Sequence, residues 1–377
     1  MIVKKLDIWH LRLGFLSPIK HNLATHQGSE NLVLRVTTDE GMRGFGEGVP
    51  RAFVTGELLS DSLLFLRQVL APAILAREFP STQALLQDLK SLYEQTQAQR
   101  HPAAFCALET ALLDAAGRTW DMPVTELIGP KLRTSLEYSA VIPLMAPESM
   151  RHLFRLVKMN HMRFVKLKVG TSDDLSTLRL AREELGDDVD IRVDANSAWT
   201  PSEAIARLKE MQPYGVSAVE QPVAKSDFAG LKQVSEAVQI PVIADESLCN
   251  EDDARNLIAL KACRIFNIRL SKCGGLGAAT RIRQMAEAAG ILCQLGCHVG
   301  ETSILSAAGR QFALTGPQLS YVEGSFSPLL LVRDVVLHPV VFNGGGMAFE
   351  LPGPGLGIEV LESALNELAV SHSVEQP

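Results

Sequence analysis

A chain of 377 residues is longer than one small domain, and its 46% hydrophobic content can bury a large core. The net charge of −7 excludes a basic nucleic-acid-binding class. No apolar run approaches the roughly 18 residues of a membrane span, and the N-terminal stretch Met1-Ile2-Val3-Lys4-Lys5-Leu6 lacks a signal-peptide core. Cys106, Cys249, Cys263, Cys273, Cys293 and Cys297 form no CxxC pair and read as reduced core thiols of a cytoplasmic protein.

Near the amino terminus, residues 31–38 and 44–48 flank Asp39-Glu40-Gly41 and predict a hairpin. Helical segments come next, over 57–76, 81–97 and 102–118. Residues 1–130 are therefore expected to form an α+β capping domain. Its loops at 14–29 and 50–56 should face the mouth of the second domain, with His21, His26 and Arg51 available to an anion. The pattern changes near Leu136. Strand candidates then centre on Val141, Val165, Ile191, Val219, Ile243, Ile268, Leu292 and Tyr321, spaced by 24 to 29 residues. Helical stretches such as 202–211, 227–237 and 278–289 lie between them. Eight parallel strands alternating with helices predict an α/β fold, a closed TIM-like barrel over 131–350. The turn-rich Pro352-Gly353-Pro354-Gly355-Leu356-Gly357 then starts a tail, 351–377, expected to return to the first domain.

Three acids stand out within the periodic part. Asp194 and Glu220 are 26 residues apart, and Glu220 and Asp245 are 25 apart. Each follows a short β-branched run that reads as a buried parallel strand. One βα unit of a barrel takes about 25 residues, so the period brings three carboxylates from adjacent strand ends to one point. Such an oxygen cluster suits a hard divalent cation, most simply Mg²⁺. The competing reading, three unrelated helix N-caps, leaves the shared spacing unexplained. Lys166 and Lys168 end the preceding strand and at period two point the same way, into the barrel. Two adjacent ammonium groups depress each other's pKa, which would poise one as a base at neutral pH.

Lys-x-Lys, Asp-Ala-Asn, Glu-Gln-Pro, Asp-Glu-Ser and Lys-Cys-Gly-Gly, in that order, resemble the enolase superfamily, and within it the muconate-lactonizing-enzyme subgroup. Gly44-Phe45-Gly46-Glu47-Gly48, Val54-Thr55-Gly56-Glu57 and Ala107-Leu108-Glu109-Thr110-Ala111 are similar to that subgroup's capping domain. The resemblance implies a modified (β/α)₇β barrel, one Mg²⁺, a small-molecule carboxylate substrate and a shared first step, removal of the α-proton to give an enolate. It also implies a homo-oligomer. By the same resemblance Asp194, Glu220 and Asp245 are ligands, Lys168 is the acid/base and Lys166 tunes it, while Asn196 orients a ligand.

The departures from the family narrow the chemistry. Many relatives carry a second catalytic lysine on the sixth strand, in Asn-Ile-Lys, where this chain has Asn267-Ile268-Arg269. Arginine stays protonated, so Arg269 is expected to act electrostatically, with Lys272 and His298 as the substitutes to consider on that face. His298 sits where mandelate-racemase-like relatives carry a catalytic histidine, but the partner position holds Arg269. Glu301 resembles a family residue at the end of the seventh strand. Dipeptide epimerases typically show Asp-x-Asp after the eighth strand, and this chain has Tyr321-Val322-Glu323. Glu323 is thus expected to read the far end of a substrate, or to cap a loop. These features imply an isomerase, either cycloisomerase or epimerase. Alternatives are a lyase eliminating water syn, as in o-succinylbenzoate synthase chemistry, or an inactive binding barrel.

Overall fold

A computed structural model describes residues 1–21 and 24–377, with side chains outside residues 20–26. His21 and His26 fall outside the described side chains. The chain opens with β1 (Val3–His21), β2 (Ala24–Thr38) and β3 (Arg43–Gly48), all antiparallel. The expected hairpin is β2–β3, with Thr37 opposite Arg43. Within the stretch 14–29, expected as a loop, residues 14–21 instead extend β1 and residues 24–29 extend β2, the two strands paired with an irregular register between Gly14 and Ile19. Alternation is the cause. Leu11, Leu13 and Phe15 are buried while Arg12 and Leu16 are exposed, a period-two pattern that favours extended backbone.

Strand β3 lies against the helix Pro102–Thr119. A Cβ at Gly44, Gly46 or Gly48 would strike the helix backbone at Ala115, Ala107 or Ala103, so only glycine permits this approach. Glu47, on the opposite parity, points toward the barrel. Its buried carboxylate accepts from the Thr302 N–H at 2.9 Å and the Leu305 N–H at 3.0 Å, at the start of the helix Ser303–Leu314. The other early helices, Leu59–Phe65 and its continuation to Ile74, then Thr82–Gln95, lie close to the predicted spans.

After β4 (Ser135–Glu137) come the seven strands of the parallel sheet: β5 (Ala140–Ile142), β6 (Phe164–Lys168), β7 (Asp190–Asp194), β8 (Val216–Glu220), β9 (Val242–Ala244), β10 (Ile265–Ile268) and β11 (Leu292–Leu295). They pair in sequence order. The eighth position, around Tyr321, carries bridge-level pairing only. Val322 bridges Leu295 on one side, and its carbonyl accepts from the Ser139 N–H at 2.8 Å on the other, which closes the ring. Near the C-terminus, β12 (Met347–Phe349) pairs with β4, and Gly355 exchanges backbone hydrogen bonds with Met122 and Val124. Strand β13 (Ala369–Glu375) then lies antiparallel to β1 and completes the four-stranded sheet. All six cysteines are free, and no described helix is long and apolar enough to cross a membrane.

Candidate active site

Side-chain alternation sorts the barrel interior into layers. Its floor is apolar, built by Phe164, Ala218, Ile243, Ile265 and Tyr321. The next inward positions are polar on every strand that supplies one: Lys166, Arg192, Glu220, Asn267, Gln294 and Glu323, all buried. Above them, at the strand ends, stand Lys168, Asp194, Asp245 and Arg269.

In the middle layer one carboxylate serves two cations. Glu323 accepts from Lys166 Nζ at 2.7 Å and from Arg192 Nη2 at 2.5 Å. Arg192 also donates to Ser139 Oγ at 3.0 Å and lies 4.3 Å above the Tyr321 ring. Burial raises the pKa of Glu323, but Lys166 and Arg192 outweigh it and hold the carboxyl below its usual range. Glu323, expected to read the far end of a substrate, is turned into the barrel and engaged by its own chain. Arg192 escaped the sequence reading. The signal was present in Ile191-Arg192-Val193-Asp194, where the residue two before a strand-end acid must share its inward direction.

Lys166 Nζ lies 3.3 Å from Glu220 Oε1 and 3.5 Å from Asp194 Oδ2. The expected depression of its pKa is reversed. Burial pulls it down, yet Glu220, Glu323 and Asp194 together hold it above the ordinary lysine range. Lys168 Nζ donates to Asp194 Oδ2 and to Asn196 Oδ1, both at 2.6 Å. Its side chain is 14% exposed, against 3% for Lys166 and 0% for Lys272, so Lys168 is the lysine of this cluster open to the mouth.

Across the barrel, Arg269 Nη2 bonds Asp245 Oδ2 and lies 3.5 Å from Glu220 Oε1. Burial lowers the Arg269 pKa, but Asp245 and Glu220 more than compensate and hold it well above the ordinary value. Lys272 is fully buried and donates to Asp245 Oδ1 at 2.8 Å, to the Asp245 carbonyl at 2.6 Å and to the Asn267 carbonyl at 2.9 Å. All three of its protons are committed, so the structure does not offer it as an accessible base. Burial, together with Arg269, Arg51 and Lys272, drives the pKa of His298 far below that of a free imidazole. The His298 backbone N–H donates to Glu301 Oε1 at 2.6 Å, and burial raises the Glu301 carboxyl to about 8. Arg51, considered for an anion, donates to Ser29 Oγ and the Val299 carbonyl, both at 2.7 Å. It therefore ties the capping segment to the loop that carries His298.

The three acids meet through shared cations: Lys166 touches Asp194 and Glu220, and Arg269 touches Glu220 and Asp245. Among the described residues, no three His, Cys, Asp or Glu side chains stand close enough as arranged to hold a metal ion. The donor chemistry nonetheless fits a hard dication, since all three groups are buried carboxylates from adjacent strands. Their orientation is secured by amides. Asn267 Nδ2 and Gln294 Nε2 donate to the two Glu220 oxygens at 2.9 and 2.8 Å. Gln221 Oε1 accepts from the Asp245 and Ser247 N–H groups at 3.0 and 3.1 Å. The Gln of Glu-Gln-Pro thus braces the Asp-Glu-Ser loop, a link that sequence spacing alone does not show.

Two family models match the chain: "Mandelate racemase / muconate lactonizing enzyme, N-terminal domain" over residues 9–129 and "Enolase C-terminal domain-like" over 148–364. The L-Ala-D/L-Glu epimerase of Bacillus subtilis is 31% identical over 95% of this chain and 97% of its own. The crystal structure of N-succinyl Arg/Lys racemase from Bacillus cereus superposes with a TM-score of 0.91 at 28% identity, covering 100% of both chains. Dipeptide epimerase from Enterococcus faecalis, complexed with Mg and the dipeptide L-Leu-L-Tyr, gives a TM-score of 0.87 at 28% identity over 95% of this chain and 100% of that one. With this fold and these strand-end residues, the chain belongs to the mandelate racemase/muconate lactonizing enzyme family of the enolase superfamily and is an isomerase.

Proposed function

We propose that this isomerase is Mg²⁺-dependent and removes the α-proton of a small carboxylate substrate, with Lys168 as acid and base. The observation that carries the reading is the placement of Lys168 at the edge of the carboxylate cluster, hydrogen-bonded to Asp194 and open to the mouth. Asp194, Glu220 and Asp245 hold the ion, which when bound supplies Lewis-acid stabilisation of the charge developing on the substrate carboxylate. Lys168 takes the α-proton from one face and returns a proton to that same face, which alone regenerates the starting stereoisomer; net isomerisation then needs a bond made or broken elsewhere in the substrate, as in cycloisomerisation. Lys166, buried and held charged, adds a fixed positive field beneath the reacting carbon. Glu323 and Arg192 position Lys166, and Lys272 positions Asp245. Arg269 contributes charge on the far face without carrying a proton, and neutral His298, with Glu301 fixing its loop, lines that side.

A single proton carrier also suits syn elimination of water, which makes a lyase the second reading. The test is proton NMR in D₂O, with N-succinyl-L-arginine and L-Ala-L-Glu as first probes and product analysis for loss of water. The α-hydrogen should exchange in the presence of Mg²⁺, and chelation should stop it. Undiminished exchange after chelation would remove the metal from the mechanism, and a dehydrated, conjugated product would move the assignment to the lyase.

A further inference from the structure

Glu246, the residue after the third acid, has no role in the chemistry proposed above. It is 5% exposed, and besides burial the charges of Asp245, Asp194 and Arg269 act on its carboxyl. Its Oε1 accepts from Asn196 Nδ2 at 3.1 Å. The opposite end of the same amide, Asn196 Oδ1, accepts from Lys168 Nζ at 2.6 Å. The Asn196 N–H donates to Asp194 Oδ1 at 3.0 Å, which pins the residue to the strand end. Asn196 holds a left-handed backbone, φ 43°, and Ser197 comes next at φ 63°. Outside glycine that conformation is uncommon, although asparagine tolerates it best, and here it turns the amide between Lys168 and Glu246.

An amide placed between an ammonium and a carboxyl has one satisfactory orientation. Lysine offers only donors, so it requires the amide oxygen; the Glu246 oxygen then receives the amide N–H. Without Glu246 the orientation of the amide rests on Lys168 alone. Rotation by half a turn would present N–H₂ to Lys168 and drive the ammonium away. Glu246 Oε2 has no hydrogen-bond partner among the described residues, so the carboxyl is held by this one amide contact and by packing.

We propose that Glu246 is a positioning residue for Lys168, acting through Asn196: it locks the amide so that its oxygen faces the lysine and fixes Nζ beside Asp194. The role requires Lys168 to be the proton carrier, as proposed above. The rival role for a buried carboxylate here, a fourth oxygen on the cation, makes a different demand. Glutamine at this position keeps a carbonyl oxygen for the Asn196 N–H but loses the anionic ligand.

Glu246→Gln and Glu246→Leu, made in the full chain, separate these roles. With N-succinyl-L-arginine and L-Ala-L-Glu in D₂O, Glu246→Gln should keep the wild-type exchange rate and Mg²⁺ affinity. Glu246→Leu should lower the rate about 10- to 100-fold without changing KM, the usual scale for a lost outer-shell partner. Asn196→Ala should match Glu246→Leu, and the double variant should lose no more than either. Crystal structures of the two Glu246 variants give a readout independent of any substrate. The Lys168–Asn196 contact should persist in Glu246→Gln and be broken in Glu246→Leu. A contact intact in Glu246→Leu, or a Glu246→Gln that loses Mg²⁺ affinity, would overturn the role. If Lys168→Ala abolishes exchange while Glu246→Leu leaves it untouched, the Glu246 role alone fails; if Lys168→Ala exchanges at the wild-type rate, the functional reading falls with it.

Discussion

The two sides of the barrel mouth are built from the same kinds of charge and differ in how those charges are held. On the β6 side, Lys168 makes two hydrogen bonds, to Asp194 and Asn196, and keeps one proton position and some surface free. On the β10 side, Arg269 is engaged with Asp245 and Glu220, and Lys272 spends all three donors on the Asp245 and Asn267 segments. His298, next to them, is kept neutral by burial and by those cations. A proton carrier needs a group that can lose its charge and reach the substrate, and among the described residues of the two sides Lys168 is the amine with donor capacity and surface to spare. Cationic residues at both ends of a barrel diameter therefore do not by themselves make a two-base enzyme. The difference lies in how completely each side chain is satisfied by its own protein.

The contrast yields predictions in descending size. Lys168→Ala should abolish α-proton exchange, a loss of about 10²- to 10⁴-fold, the range a positioned general base contributes. Exchange surviving at the wild-type rate would place the base elsewhere, and the asymmetry between the two sides would lose its meaning. Arg192→Leu attacks the layer beneath, common to both sides. It leaves Glu323 with Lys166 alone and should destabilise the fold by about 3–5 kcal/mol, as breaking a buried ion pair does. Chemical denaturation reads this directly, and a change below about 1 kcal/mol would make the Arg192–Glu323 contact energetically idle. Arg269→Lys should sharpen the comparison from the other direction. A lysine at the end of β10 can lose its proton, so deuterium should begin to enter from the second face, about 10²-fold above the wild-type background. The wild type should label with one stereochemistry. Equal labelling from either enantiomer in the wild type would show that a second base already operates, with His298 the first residue to replace.

Much of this was legible in the chain before folding. Repeats of 24 to 29 residues between β-branched runs pointed to the parallel direction and position of the seven barrel strands, because a βα unit has a nearly constant length, but not to the bridge-level pairing at the eighth position around Tyr321. The same period placed Asp194, Glu220 and Asp245 at adjacent strand ends, and parity turned Lys166 and Lys168 inward. The substitution at Arg269 was equally plain, since the inability of arginine to act as a base belongs to the side chain and not to its surroundings. Local alternation over residues 11–16 already points to extended backbone beyond Gly14, and the same parity turns Arg192 into the barrel.

Pairing across the barrel was beyond the sequence. Glu323 lies 157 residues from Lys166 and 131 from Arg192, and no local pattern announces which cation a buried carboxylate will meet. The direction of the Lys166 pKa followed from that pairing. Two neighbouring lysines argue for depression, and three carboxylates converging from β7, β8 and the eighth strand position reverse it. The engagement of Lys272 arises the same way, from carbonyl and carboxylate oxygens of the Asp245 and Asn267 segments that the folded barrel brings within 3 Å of its Nζ. Residue type and spacing determine which groups reach the mouth. The charge each one keeps there depends on distances between strands, which exist only once the chain has folded.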